Sequence, residues 1–141
     1  TNSKEYTVDD NYISLEIHDI NKLDKAKSFY PGLFMPKNIP DRFQFDSLKV
    51  KKLSDGLYQA AYMYSNKNGE LLSINQEVIP EGGSYSVSVV NVTKEIKKKD
   101  GTIYISENPF SDGSNTASYI TEESLIDICG MVTIDEILMI Y

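Results

Sequence analysis

The chain carries one cysteine, one histidine, one arginine and no tryptophan in 141 residues. A lone cysteine, Cys129, excludes an internal disulfide and any cysteine-based zinc cage. A lone histidine, His18, has no second histidine, cysteine partner or positioned carboxylate with which to form the usual zinc sites or triads. No apolar run approaches the ~20 residues needed to cross a bilayer as a helix. Positive charge is also short: 14 Lys+Arg against 21 Asp+Glu leave a net charge of −7, a surface that repels phosphate backbones and argues against nucleic acid as partner. The only basic cluster, "KEIKKKDG" at 94–101, reads as a solvated hairpin tip. The sequence holds no Walker loop, no G-x-G-x-x-G and no G-x-S-x-G.

What is present suffices for a core. Hydrophobic residues make up 40% and aromatics 11% of the chain, and the length suits a single domain. Residues 1–10 read as a flexible lead and 11–141 as one domain. The polar start "TNSKEYTVDDN" leads us to expect a removed signal or an anchor upstream of Thr1. Arg42 stands alone against thirteen lysines, and Asn, Ile and Tyr are plentiful, a usage typical of AT-rich bacterial genomes.

Alternation in "NYISLEIHD" places Ile13, Leu15 and Ile17 on one face of a strand. In "INKLDKAKSFY" the period becomes helical through Leu23, Ala26 and Tyr30, with Asn21 placed to cap and Pro31-Gly32 to stop. Then comes "FYPGLFMPKNIPDRFQF" (29–45), with three prolines and five aromatics. Pro31, Pro36 and Pro40 fix φ and push their predecessors towards extended geometry, so 31–41 is expected as a stiff connector. Phe29, Phe34 and Phe43 are expected to pin it to the core, in preference to lining an exposed groove.

Strands follow. "RFQFDSLKVKKL" alternates with a phase slip near Asp46–Ser47, the mark of a β-bulge. "LYQAAYMY" and "ELLSINQEV" flank a hairpin turn at Asn68-Gly69. "YSVSVVNVTKEI" (85–96) and "TIYISE" flank a second at Lys99-Asp100-Gly101. The final segment has two readings. It is one long helix from Thr121, or a hairpin ("TASYI", "SLIDIC") followed by a helix capped by Thr133 with Glu136 three residues on. The hairpin is preferred because Ile126 and Ile128 alternate with Asp127. Ile134, Ile137, Leu138 and Tyr141 would then share a helical face. The fold class is α+β: a mainly antiparallel, curved sheet of six to eight strands with a short helix near each end.

Chemistry is sparse. Cys129 lies in an apolar strand and lacks an activating base. The carboxylate pairs Asp9–Asp10, Glu122–Glu123 and Asp135–Glu136 are chain neighbours, whereas acid/base hydrolysis needs carboxyls converging across a cleft. Asp112, Ser114, Thr116 and Glu123 match positions 1, 3, 5 and 12 of a calcium loop, but Ala117 replaces its glycine and no helices flank it. Tyr58, Tyr62 and Tyr64 share one strand face, either a carbohydrate- or peptide-binding surface or sheet packing, with packing preferred. Tyr85 and Tyr104 also fall in strands. No catalytic residue, metal ligand or cofactor site is assigned.

The order of elements resembles a bacterial family, domain of unknown function 4367. The resemblance rests on "LDKAKSFY", the connector "FMPKNIPDRFQFDSLKV" with Pro36 and Pro40, "ELLSINQEV", and "IDICGMVTIDEILMI" with Gly130 before the terminal helix. It covers about residues 20–141. Tyr119 stands near the place where the family often has a tryptophan, and the loop 108–115 has no counterpart. The resemblance implies an extracytoplasmic module, commonly beside a membrane anchor and sometimes linked to anti-sigma-factor-like proteins. The expected role is a non-catalytic sensory or binding domain of a Gram-positive cell-envelope protein, with a protein or envelope ligand as partner. The alternatives are a carboxylate-dependent hydrolase of envelope polysaccharide or peptide, and a purely structural interaction domain.

Overall fold

A computed structural model describes residues 5–83 and 91–141. The described strands are β1 (Tyr6–Val8), β2 (Tyr12–Ile17), β3 (Gln44–Leu53), β4 (Tyr58–Ser65), β5 (Leu71–Val78), β6 (Lys94–Lys97), β7 (Gly101–Ser106), β8 (Asn115–Thr121) and β9 (Ser124–Gly130), with helices α1 (Leu23–Phe29) and α2 (Ile134–Ile140). They form one nine-stranded sheet in the order β1-β2-β3-β4-β5-β9-β8-β7-β6, and every neighbouring pair is antiparallel. Two meanders, β1 to β5 and β6 to β9, are thus joined edge to edge by β9 pairing with β5.

The count exceeds the six to eight strands expected. The extra edge strand, β1, lies inside the stretch 1–10 read as a lead. Its three residues are too few to show a period, and it is specified by pairing with β2. The strand anticipated over 85–96 begins within the described residues only at Lys94; Tyr85 lies outside them.

One face of the sheet holds the core. Leu15, Ile17, Leu48, Val50, Tyr62, Leu72, Ile74, Ile103, Ile105, Ile126 and Ile128 are buried there, each two residues from the next on its strand, as the period of two requires. Ala26 of α1, Ile137 and Ile140 of α2, and Leu33 and Phe43 of the connector belong to the same cluster. We call this the inner face. The bulge lies where expected, with the β3–β4 register shifting between Phe45 and Ser47. It lets Phe45 and Leu48 both reach apolar neighbours although three residues separate them.

The termini of elements show what fixes them. A 3-10 turn over Ile20–Lys22 precedes α1, and Asp19 caps it by accepting from the Asn21 N–H. Asn21, the expected cap, is therefore inside the first turn. After β9 the chain forms the capping box anticipated at Thr133 and Glu136, which satisfies two orphan N–H groups reciprocally. On α2, Ile137 and Ile140 are fully buried, while Ile134, Leu138 and Tyr141 flank them.

The β4–β5 hairpin differs in detail from its expectation. Gly69 has φ +76°, and Asn68 is not among the positive-φ residues. The Gly69 N–H donates to the Asn66 carbonyl and the Asn66 N–H to the Glu70 carbonyl. That is a three-residue loop with glycine in the left-handed position. The Asn66 side-chain oxygen accepts from the Asn68 and Glu70 N–H groups and holds the loop shut.

Candidate functional site

The connector runs across the inner face, and its polar backbone groups are met one by one. Gln76 on β5, only 3% exposed, accepts from the Phe34 N–H at 2.7 Å and donates to the Gly32 carbonyl at 3.1 Å and the Ser124 hydroxyl at 3.2 Å. The Tyr62 hydroxyl donates to the Phe34 carbonyl at 2.7 Å. The Lys37 N–H donates to the Ile140 carbonyl at 3.0 Å, and the Asn38 side chain to the Met139 carbonyl at 3.0 Å. Asn38 adopts φ +51° to make the bend.

Arg42 closes the strap. Its guanidinium donates to both Glu136 carboxylate oxygens, at 2.6 and 2.7 Å, and to the Met131 carbonyl at 2.9 Å. This two-pronged contact holds the Glu136 carboxyl at about 2, with the N–H and the side chain of Thr133 assisting. The single arginine therefore ties the connector to the helix that closes the core.

Among the connector residues singled out, Phe43 is 6% exposed, Phe34 is half-buried with its ring 6.2 Å from that of Tyr141, and Pro36 and Pro40 are half-buried. Phe29 sits edge-on between Tyr6 and Tyr58, 6.0 Å from each. Tyr58, Tyr62 and Tyr64 do share a face, but it is the inner one. Tyr62 is 1% and Tyr64 5% exposed, and Tyr58 stacks on Tyr30 at 4.4 Å. Their burial does not suit the binding-surface alternative and matches the packing preferred for them: Tyr30 stacks on Tyr58, and the connector's Phe34 carbonyl meets the Tyr62 hydroxyl. Desolvation pushes the Tyr62 phenol far up and that of Tyr64 to about 12.

The opposite face is open about β4 and β5, where Ala61 and Asn75 are exposed, whereas Ser106 and Ser118 on β7 and β8 are fully buried; we call it the open face. One cross-strand row reads Lys49, Ala61, Asn75, Asp127, Ser118, Tyr104, and the next reads Ser47, Met63, Ser73, Cys129, Thr116. Around Ala61 lies a shallow depression of about 230 Å³ framed by Lys49, Lys51, Gln59, Asn75 and Glu77. One row away, a second of about 440 Å³ is lined by Met63, Leu71, Ser73, Cys129 and Met131, with Asp112 and Ser114 on its rim. A third, of about 510 Å³, lies at the sheet's end among Thr121, the last residue of β8, and the turn residues Lys99, Asp100, Glu122 and Glu123.

Reactive groups on the open face are restrained. Burial raises the Cys129 thiol pKa, and the charges of Asp112 and Asp127 raise it further, which disfavours the thiolate. Asp127 is half-buried, its pKa raised by desolvation, and it accepts from the Ser118 hydroxyl. His18 follows β2 and is exposed, with its Nε2 3.4 Å from Glu16. Asp112 and Ser114 lie before β8, Thr116 within it and Glu123 beyond its far end, so the calcium-like spacing does not converge. No cluster of three or more potential metal ligands occurs among the described residues.

Sequence reasoning missed Gln76, Asp127 and the Arg42–Glu136 tie. For Gln76 a signal existed, since alternation from Leu72 and Ile74 places a polar amide on the apolar face. Arg42 and Glu136 are separated by most of the chain and carry no local signal. No protein-family model, curated protein or solved structure matches the chain.

Proposed function

We propose that this is a non-catalytic binding module of the bacterial cell envelope, acting through the open face of its sheet. One observation carries the reading: the helices and the proline connector pack on one face, while the other, about β4 and β5, presents Ala61, Ser73 and Asn75 beside two shallow depressions. A face of Ala61, Ser73 and Asn75 flanked by Lys49, Lys51 and Glu77 suits an extended polar ligand, a glycan or peptide, that lies flat and hydrogen-bonds along the strands. The disfavoured thiolate of Cys129 and the solvent-facing His18 support binding over turnover. The envelope setting rests on the resemblance of element order described above. No described helix is long and apolar enough to cross a membrane.

The test is co-sedimentation of the purified domain with Gram-positive cell-wall polysaccharide and peptidoglycan. Ala61→Arg and Ser73→Arg, both on the open face, should abolish binding while leaving the melting temperature within about 2 °C of wild type, as surface changes do. Retained binding in both variants, or none by the wild-type domain, would contradict the proposal.

One observation favours a second reading, a carboxylate-dependent hydrolase of envelope polysaccharide. Asp127 is desolvated, and Glu77 lies diagonal to it on the adjacent strand. Diagonal neighbours sit about 7–8 Å apart, within the ~6.5–9.5 Å of inverting glycosidases. Release of reducing sugars by the domain, lost in Asp127→Asn, would establish this reading in place of the first.

A further inference from the structure

The two edges of the sheet are unlike. At one end β6 reads Lys-Glu-Ile-Lys (94–97), the charged guard that keeps an edge from pairing with another chain. At the other end β1 reads Tyr-Thr-Val, with no charge, no proline and no bulge. Its exposed apolar side chains are large: Val8 is 77% and Tyr6 47% exposed, and Ile13, paired with Val8, is 40% exposed.

The ladder shows which backbone groups on this edge have no partner among the described residues. The Glu16 N–H donates to the Glu5 carbonyl and the Asp9 N–H to the Tyr12 carbonyl. Antiparallel strands alternate hydrogen-bonded and non-hydrogen-bonded pairs, so Glu5, Thr7 and Asp9 turn their groups to β2. Tyr6 and Val8 turn theirs away from the sheet.

We propose that this edge pairs with the same edge of a second copy, β1 antiparallel to β1 about a two-fold axis at Thr7. This register is the one that engages both outward residues, Tyr6 of each copy exchanging two hydrogen bonds with Val8 of the other. Four bonds form, and two aromatic–β-branched pairs meet on the inner face. Shape agrees. Beside Tyr6 lies an open depression of about 480 Å³ lined also by Asp24, Lys25, Ser28 and Phe29, and the register sets the second copy's Val8 against it.

Charge agrees too. Asp9 and Asp10 end the strand, and Lys22 and Lys25 close on Glu5 at its start, at 3.3 and 2.8 Å. The two-fold brings each acidic turn to the other copy's lysines. Glu5 and Asp24 balance those lysines, so the turn meets ammonium donors without a net like charge. The interface is small, and self-association belongs between about 1 µM and 1 mM.

Thr7 of the two copies forms a non-hydrogen-bonded pair with Cα atoms ~4.5 Å apart, inside the range a disulfide spans. In a Cys129→Ser background, Thr7→Cys should oxidise to a covalent dimer, and Lys97→Cys on the guarded edge should not. Val8→Pro removes an outward N–H and no bond to β2, so it should sediment as a monomer with unchanged circular dichroism. Should that proline disturb the fold, Val8→Lys serves the same purpose and should lower the association constant at least tenfold. A wild-type chain that remains monomeric at about 1 mM, Thr7→Cys crosslinking no faster than Lys97→Cys, or undiminished association in the folded Val8 variants would each overturn the proposal.

Discussion

Replacing Gln76 by leucine tests the packing of the connector at its least replaceable contact. The change keeps side-chain volume roughly constant and makes an apolar face uniformly apolar, so a purely hydrophobic account predicts neutrality or a gain. The structure predicts a loss. The Phe34 N–H and the Gly32 carbonyl depend on this amide, and the Ser124 hydroxyl shares it with Tyr30; each group left buried without a partner costs about 1–3 kcal/mol. Solvent reaching Gly32 and the Ser124 side chain relieves part of that, leaving a net loss of about 2–4 kcal/mol. For a chain of this length each kcal/mol moves the midpoint by about 4 °C, so the melting temperature should fall by about 8–16 °C. Urea titration followed by circular dichroism measures the free-energy loss and a thermal scan the melting temperature, and tyrosine fluorescence is free of tryptophan. Gln76→Glu adds a control of sign. A buried carboxyl has its pKa raised, so this variant should be weakest at neutral pH and recover as the pH falls. A Gln76→Leu protein as stable as wild type would refute the reasoning.

Other outcomes follow from the same geometry. Arg42→Lys loses the two-pronged contact with Glu136 and should cost about 1–2 kcal/mol at pH 7, the shift being discounted for partial exposure. Because the folded Glu136 carboxyl is depressed to about 2, that stability is present above the unfolded pKa of about 4.3 and is lost as the pH falls towards 2; urea midpoints of the two proteins should therefore converge at low pH. Tyr62→Phe removes the bond to the Phe34 carbonyl and should cost about 1–2 kcal/mol by the same titration. Cys129 should react with a disulfide reagent at pH 8 at least tenfold slower in the folded protein than in urea, since burial raises its thiol pKa.

Much of the architecture was legible because it is written in local period and punctuation. The β-bulge showed as a slip between Phe45 and Leu48. The terminal hairpin and helix showed in the alternation of Ile126, Asp127 and Ile128 and in the spacing of Thr133 and Glu136. What was illegible is non-local. Strand β1 exists through its pairing with β2, and Asp19 displaces Asn21 as cap because a 3-10 turn starts two residues earlier than the helical pattern. Tyr58, Tyr62 and Tyr64 showed a shared face, but which side of the sheet it formed depended on where the connector crossed. The open face had no signal of its own, because small residues such as Ala61, Ser73 and Asn75 are ordinary on any strand. Their meaning comes from register across five chain segments.

The central claim is that the proline-rich strap is fixed scaffold over the inner face, which leaves the open face as the surface for recognition. Amide hydrogen exchange of Phe34 and Lys37 tests it most directly, since those two N–H groups donate to Gln76 and to the Ile140 carbonyl. Both should exchange as slowly as core amides of β4 and β5, with opening free energies near that of global unfolding. Exchange at the rate of an unstructured loop would mean that the strap lifts freely and the aromatic face beneath it is accessible, and the account would be wrong.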